Sequence, residues 1–272
     1  MAVDDVADRN SDPARDEVRF TPRMYLDYYC RTRGLSLEDL GVAPTVVGTW
    51  FRSVTDWLRA ETGAVRAENW PYGAGGGHDL FTADVGGARV SFLTFPVGAP
   101  GTVAVMEELI ASGARRIIGL GMAGSLQERA PVGAFLLPGQ CIREEGVSHH
   151  YLPAGERVGP DPTLQEALGR VLAAQGRHGH VGPHWTTDAI YREFVWKIER
   201  YRAEGVVGVD METSAMYALG RFHGVSVANL LVVSDELWRE WRPAFHSDEL
   251  AAAMRAASSV LLKGLAGLAA AP

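Results

Sequence analysis

The chain has 272 residues, 47% of them hydrophobic and 22% charged, and a formal net charge of −7. That length fits one large α/β domain or two small ones, and the apolar share fills an ordinary soluble core. The acidic balance argues against a nucleic-acid backbone as partner, since phosphate neutralisation needs a basic face. It leaves room for a small anion held by one or two local cations.

Residues 1–17 are rich in Asp and Arg without an apolar core, so they read as a mobile leader and not as a signal peptide. No apolar run reaches the length of a membrane span; the Ala-rich C-terminus is broken by Arg255, Lys263 and Gly264. Cys30 and Cys141 lie far apart and form no CxxC pattern, which points to a reducing compartment. A cytoplasmic protein is expected. Residues 21–40, with Met24, Tyr25, Tyr28, Tyr29 and Leu35, predict a helical N-terminal extension over 1–44, and no domain boundary follows over 45–272.

Val46 to Trp50 predicts a short strand, followed by a helix from about Val54 to Ala60. Gly73-Ala74-Gly75-Gly76-Gly77 predicts a flexible turn, and no downstream Lys-Ser/Thr makes it a P-loop. Strands at 81–85 and 89–95 form a hairpin around Gly86-Gly87, and a helix covers 102–112. Ile117 to Gly121 is an apolar strand entering a glycine loop, Gly121-Met122-Ala123-Gly124-Ser125. Further strands are expected at 134–142, 206–210 and 225–233, and helices at 162–174, 192–203, 212–222 and 247–268. Apolar strands alternating with amphipathic helices predict an α/β fold whose sheet, mostly parallel or mixed, is covered on both faces.

Two segments carry the chemistry. Val206 to Asp210 delivers Met211 and Glu212 to the mouth of a helix, where Asp210 and Thr213 are most simply caps. A carboxylate at the carboxyl end of a strand in an open α/β sheet sits where ligands bind, and as an acceptor-only group it can take two ribose hydroxyls. The strand 225–233 then ends on Ser234-Asp235, which is either an N-cap for Glu236-Leu237-Trp238 or an acid that protonates a leaving group. Glycines at a strand end also let backbone N–H groups approach an anion, although the tight-turn reading is as good for that loop alone. His178, His180 and His184 lack neighbouring Cys, Asp or Glu before Asp188, so they read as solvated or substrate-touching histidines and no metal is expected. His149-His150 reads the same way, and Arg143-Glu144-Glu145 as a structural ion pair at a strand's end.

With Gly121-Met122-Ala123-Gly124-Ser125, Asp210-Met211-Glu212 and Ser234-Asp235 in this order, the chain resembles the nucleoside phosphorylase and nucleosidase superfamily over roughly residues 45–268. The resemblance implies a three-layer α/β/α fold with a central mixed β-sheet, a homodimer or homohexamer, and reaction at the ribosyl C1′. It implies that Met211 packs on the sugar, Glu212 accepts its hydroxyls, and Asp235 assisted by Ser234 protonates N7 of a purine. Thr187-Asp188-Ala189-Ile190 resembles the stretch that ends on a base-stacking aromatic; with Ile190 there, stacking falls to Tyr191 or a nearby Trp.

The resemblance further implies inorganic phosphate as co-substrate and no cofactor, with Arg52, Gly48 and the backbone at Gly121 and Ala123 as the phosphate site. Here the chain departs from the pattern. Gly48 to Arg52 keeps the Gly-to-Arg spacing and loses the Asp and Pro, and Gly119-Leu120-Gly121-Met122-Ala123 stands where a second arginine and a threonine belong. In the third position only His78 offers a cation. Expected is phosphorolysis of a purine-type nucleoside, with hydrolysis on the same fold or a non-catalytic nucleoside-binding module as alternatives.

Overall fold

The computed structural model describes residues 17–71 and 78–270; the glycine-rich turn expected at 73–77 and nearly all of the expected leader lie outside them. The described strands are β1 (Thr45–Thr49), β2 (Val65–Arg66), β3 (Leu80–Val85), β4 (Ala88–Thr94), β5 (Arg116–Ser125), β6 (Phe135–Glu144), β7 (Gly179–Thr187), β8 (Gly208–Asp210), β9 (Ser226–Glu236) and β10 (Arg242–Pro243). The helices are α1 (Pro22–Arg33), α2 (Arg52–Thr62), α3 (Ala99–Ala111), α4 (Pro162–Ala173), α5 (Val195–Ala203), α6 (Thr213–His223) and α7 (Asp248–Ala270). The predicted N-terminal helix starts where Thr21 accepts the Met24 N–H at 3.2 Å, with Pro22 in the first turn, and stops at Gly34 in the left-handed region.

All ten strands join one mixed sheet in the order β10-β9-β6-β7-β8-β5-β1-β4-β3-β2. β9 also runs parallel to β5 from Arg116–Ser226 onward, so β5, β8, β7, β6 and β9 close on one another. Alternation along the strands divides the core. Ile118 and Leu120 of β5 and Leu230 and Val232 of β9 pack with α2, α4 and α7. Ile117 and Val227 face the opposite way, onto α1, α3 and α6. This is the α/β/α arrangement that the sequence pattern predicts, with both faces of the sheet covered.

Three expectations need correction. The glycine loop at 121–125 is strand: β5 continues to Ser125, and its glycines serve close packing. A Cβ on Gly121 would stand 2.7 Å from the Trp50 ring, and one on Gly119 2.3 Å from Asn229 Oδ1. Second, the histidine-bearing stretch, given no strand by the sequence pattern, forms β7 from Gly179 onward, paired with β6 and β8, and His184 is fully buried instead of solvated. Third, β9 runs through Asp235 to Glu236, so Asp235 caps no helix. The charge run is partly as expected: Glu144 pairs with Lys197 at 2.8 Å. Arg143 instead ties down the following loop through the carbonyls of Leu152, Pro153 and Glu156.

Gly48 also has a packing role. Its Cβ would lie 1.8 Å from Phe95, itself buried, so the aromatic ring occupies the space a side chain needs. Gly48→Ala should therefore cost about 3 kcal/mol through overpacking, read as a lower midpoint in urea unfolding. An unchanged midpoint would return Gly48 to the candidates for ligand contact.

Candidate active site

β5 is flanked by β1 only as far as Leu120, the partner of Thr49, and by β8 only from Gly124 onward. Between them, Met122 and Ala123 line a cavity of about 1060 Å³. Trp50 and Phe51, which follow β1, close one side; Met211 and Glu212, which follow β8, close another; Ser234 and Asp235 of β9 approach across β5. Glu212 and Asp235 thus share one cavity, and only 7% and 8% of their surfaces are exposed. Placement at strand ends follows the rule for open α/β sheets.

Each carboxylate is held by a local backbone device. The β5–β9 register pairs Ala123 with Val233 and then Gly124 with Asp235, leaving Ser234 as the extra residue of a β-bulge. Bulges re-aim side chains beside functional sites. The Ser234 hydroxyl donates to Asp235 Oδ1 at 2.7 Å, and Trp241 Nε1 donates to Oδ2 at 2.9 Å from the turn joining β9 to β10. Sequence reasoning missed Trp241; its only signal was an indole close behind the acid in chain order.

Glu212 immediately precedes α6. Its Oε1 accepts the Gly98 N–H at 2.6 Å and its Oε2 the Met211 N–H at 3.2 Å. Gly98 presents that N–H from φ 92°, a conformation that favours glycine, and it too was missed. Burial pushes the Glu212 carboxyl up to about 8, and the Asp210 charge adds to this, while the two N–H donors pull it back.

Asp210 caps α6 as expected, accepting the N–H groups of Glu212 and Thr213. Thr213 contributes a hydroxyl to Asp210 in addition to that N–H. Burial works against its charge, but His184 Nε2 at 3.3 Å, together with the hydroxyls of Thr213 and Thr186, outweighs burial and holds the carboxyl below its ordinary value.

Of the residues expected to touch the base, Ile190 and Tyr191 both line the cavity, and Tyr191 is 94% exposed at its mouth. Trp50, Trp238 and Trp241 supply further aromatic surface. The expected phosphate set is not brought together. Ala123 lines the cavity, but Gly121 lies beneath Trp50, Gly48 beneath Phe95, and Arg52 is exposed at the start of α2, outside the lining. His78 also lies outside it, with Nδ1 3.0 Å from the Thr94 carbonyl. Among the described residues, no group of three or more His, Cys, Asp or Glu is placed to hold a metal ion. No helix among them is long and apolar enough to cross a membrane.

Two carboxyl groups, each held by two donors, thus share one cavity at strand ends, the position at which open α/β sheets bind small molecules. The family is given by direct comparison: the chain belongs to the phosphorylase superfamily, whose family model matches residues 54–266. It is 29% identical over 163 residues to the DeoD-type purine nucleoside phosphorylase of Bacillus cereus (strain B4264), a match spanning 58% of this chain and 68% of the relative. It is 32% identical over 160 residues to the uncharacterized protein R802 of Acanthamoeba polyphaga mimivirus, spanning 59% and 62%. Among solved structures, Toxoplasma gondii purine nucleoside phosphorylase in complex with immucillin-H superposes with a TM-score of 0.76 at 23% identity, covering 86% of this chain and 94% of that one. Uridine phosphorylase from Vibrio fischeri ES114 superposes with a TM-score of 0.73 at 22% identity, covering 84% and 93%.

Proposed function

We propose that the protein cleaves the N-glycosidic bond of a purine-type nucleoside, passing the ribosyl group to phosphate. The observation that carries this reading is the sharing of one cavity by Glu212 and Asp235, each oriented by dedicated donors. In the reaction, ionised Glu212 accepts the ribose hydroxyls while Met211 packs on the sugar. Asp235, as the proposed general acid, passes a proton to N7 as the bond from C1′ to the base breaks, and the bonding electrons leave with the base. A nucleophilic oxygen then forms the new bond at C1′.

Hydrolysis is the second reading, and the cavity's charge favours it. Six carboxyl-bearing residues line the cavity (Glu193, Glu199, Asp210, Glu212, Asp235 and Glu240) against two arginines, Arg202 and Arg239. Arg239 is paired with Glu236, and Arg202 donates to the Trp238 carbonyl at 3.2 Å. Phosphate needs charge-assisted, preferably forked donors, and water needs none.

Incubating a purine and pyrimidine nucleoside panel with and without phosphate separates the readings. Phosphorolysis gives ribose 1-phosphate and base release that requires phosphate. Hydrolysis gives free ribose under both conditions. Binding of nucleosides without base release in either condition would sink the enzymatic reading.

A further inference from the structure

The reaction as derived above makes no use of the cavity's apolar mouth. Glu212 and Asp235 are buried, whereas Tyr191, Trp241 and Phe245, which line the same cavity, are exposed. The neighbouring exposed rings are engaged: Phe194 and Trp196 stack with centroids 6.3 Å apart, and the Arg192 guanidinium lies over Phe194 at 4.7 Å. Among the described residues, no ring or cation covers a face of Tyr191, Trp241 or Phe245. Uncovered apolar surface gathered at one mouth marks a place where something apolar docks.

Size points to the ligand itself. The cavity measures about 1060 Å³, at the upper end of the roughly 300–1,000 Å³ in which proteins hold drug-sized ligands. A plain nucleoside is smaller than such ligands and leaves part of that volume unfilled. One contact fixes which part of the ligand meets the rim. Trp241 Nε1 donates to Asp235 Oδ2 at 2.9 Å, so the indole stands beside the group that the proposed reaction sets at N7. Along the purine edge, N7 has C8 on the side of the glycosidic bond and position 6 on the side away from it. With the pentose at buried Glu212, position 6 is the one turned toward the exposed rings. A hydrocarbon group there would cover ring faces that otherwise meet water, which is favourable in proportion to the apolar area removed.

Resting on the glycosidic-cleavage reading, we propose that the substrate is a purine nucleoside with an apolar group, aryl or branched alkyl, at position 6, and that Tyr191, Trp241 and Phe245 are the specificity-determining residues that receive it. The test uses the full chain, wild type and the double variant Tyr191→Ser with Phe245→Ser, both at exposed positions that the fold does not rest on. Trp241 stays in place because its N–H also holds Asp235. kcat/KM is measured for adenosine, N6-benzyladenosine and 5′-benzylthio-5′-deoxyadenosine. The wild type should favour N6-benzyladenosine over adenosine by about tenfold or more, as expected for burying a phenyl ring. The double variant should lose most of that ratio, whereas a merely structural rim would lower both substrates alike. That outcome overturns the assignment, as does a gain from the benzyl group at the 5′ position and not at position 6. A wild-type oligomer that dissociates in the double variant, with no preference between the two nucleosides, gives the rim to a second copy and overturns it as well.

Calorimetric binding of adenine and N6-benzyladenine to the same two proteins separates this proposal from the cleavage reading. If wild type cleaves none of the nucleosides, the cleavage reading falls. Tighter N6-benzyladenine binding that vanishes in the double variant then still supports the subsite, and equal binding of the two bases overturns it.

Discussion

Asp235→Asn should lower kcat by roughly a hundredfold or more while leaving nucleoside affinity within a few-fold of wild type. The amide preserves the shape of the carboxyl and keeps one oxygen to accept from Ser234 or Trp241, which now donate at 2.7 and 2.9 Å. Its NH₂ can hydrogen-bond to a ring nitrogen but cannot surrender a proton to it. The loss should therefore fall on the chemical step, and single-turnover base release alongside equilibrium binding would separate the two quantities. Substrates whose leaving group departs without protonation should be hurt least. Turnover at the wild-type rate in Asp235→Asn would remove this residue as the acid.

The second large effect concerns pH. With its carboxyl pushed up to about 8, Glu212 is protonated in the free protein at neutral pH, yet accepting two hydroxyls requires the carboxylate. Accordingly, affinity for the pentose, read as the dissociation constant of a non-cleavable nucleoside analogue, should tighten about tenfold per pH unit on the acid side and level off above about 8. Glu193 titrates lower, near 7, so Glu193→Gln should leave that upper limb in place. Glu212→Gln should abolish the limb together with most sugar binding. Its amide can accept from only one of the Gly98 and Met211 N–H groups and sets an NH₂ against the other.

Stability must follow the same titration. The native carboxyl holds its proton up to about 8, while the unfolded chain releases it near 4.5. Between those values the native state binds more protons, so this group's contribution to stability is full below 4.5 and declines as pH rises to about 8. Denaturant midpoints of wild type and Glu212→Gln across that window should converge at the acid end and separate in the variant's favour at the alkaline end. Parallel profiles would place the carboxyl in a wetter setting than its burial indicates.

The two acids were legible in the sequence because each follows an apolar run. Glu212 stands three residues after the apolar run Val206 to Val209 and Asp235 two after Leu230 to Val233, so each carboxylate comes just past a strand that the pattern marks as buried. Their order along the chain also carried the family resemblance. What misled was glycine. Gly121 and Gly124 read as a turn, yet each sits in a strand where a neighbour fills the missing side chain's place, as the Trp50 ring does at Gly121. β7 was hidden for the same reason: Gly179, Gly182 and Pro183 look like loop chemistry, whereas a Cβ on Gly182 would meet Val207 at 2.5 Å. Close approach and turning leave the same mark in a sequence, and only tertiary neighbours tell them apart. Trp241 and Gly98 were illegible because each acts on a carboxylate through contacts that no local pattern encodes.

The two halves of the cavity differ in how freely they can change. On the proposed reading, the sugar half rests on Glu212, Asp210, Thr213 and His184, all buried and in contact through Asp210, so a substitution there disturbs the interior. The half that the same reading assigns to the base is finished by Tyr191, Trp241 and Phe245, which stand 94%, 59% and 46% exposed on connecting segments. Mutation can redraw that rim without touching the core. Descendants of such a scaffold would be expected to diversify in the heterocycle they accept long before they abandon the pentose.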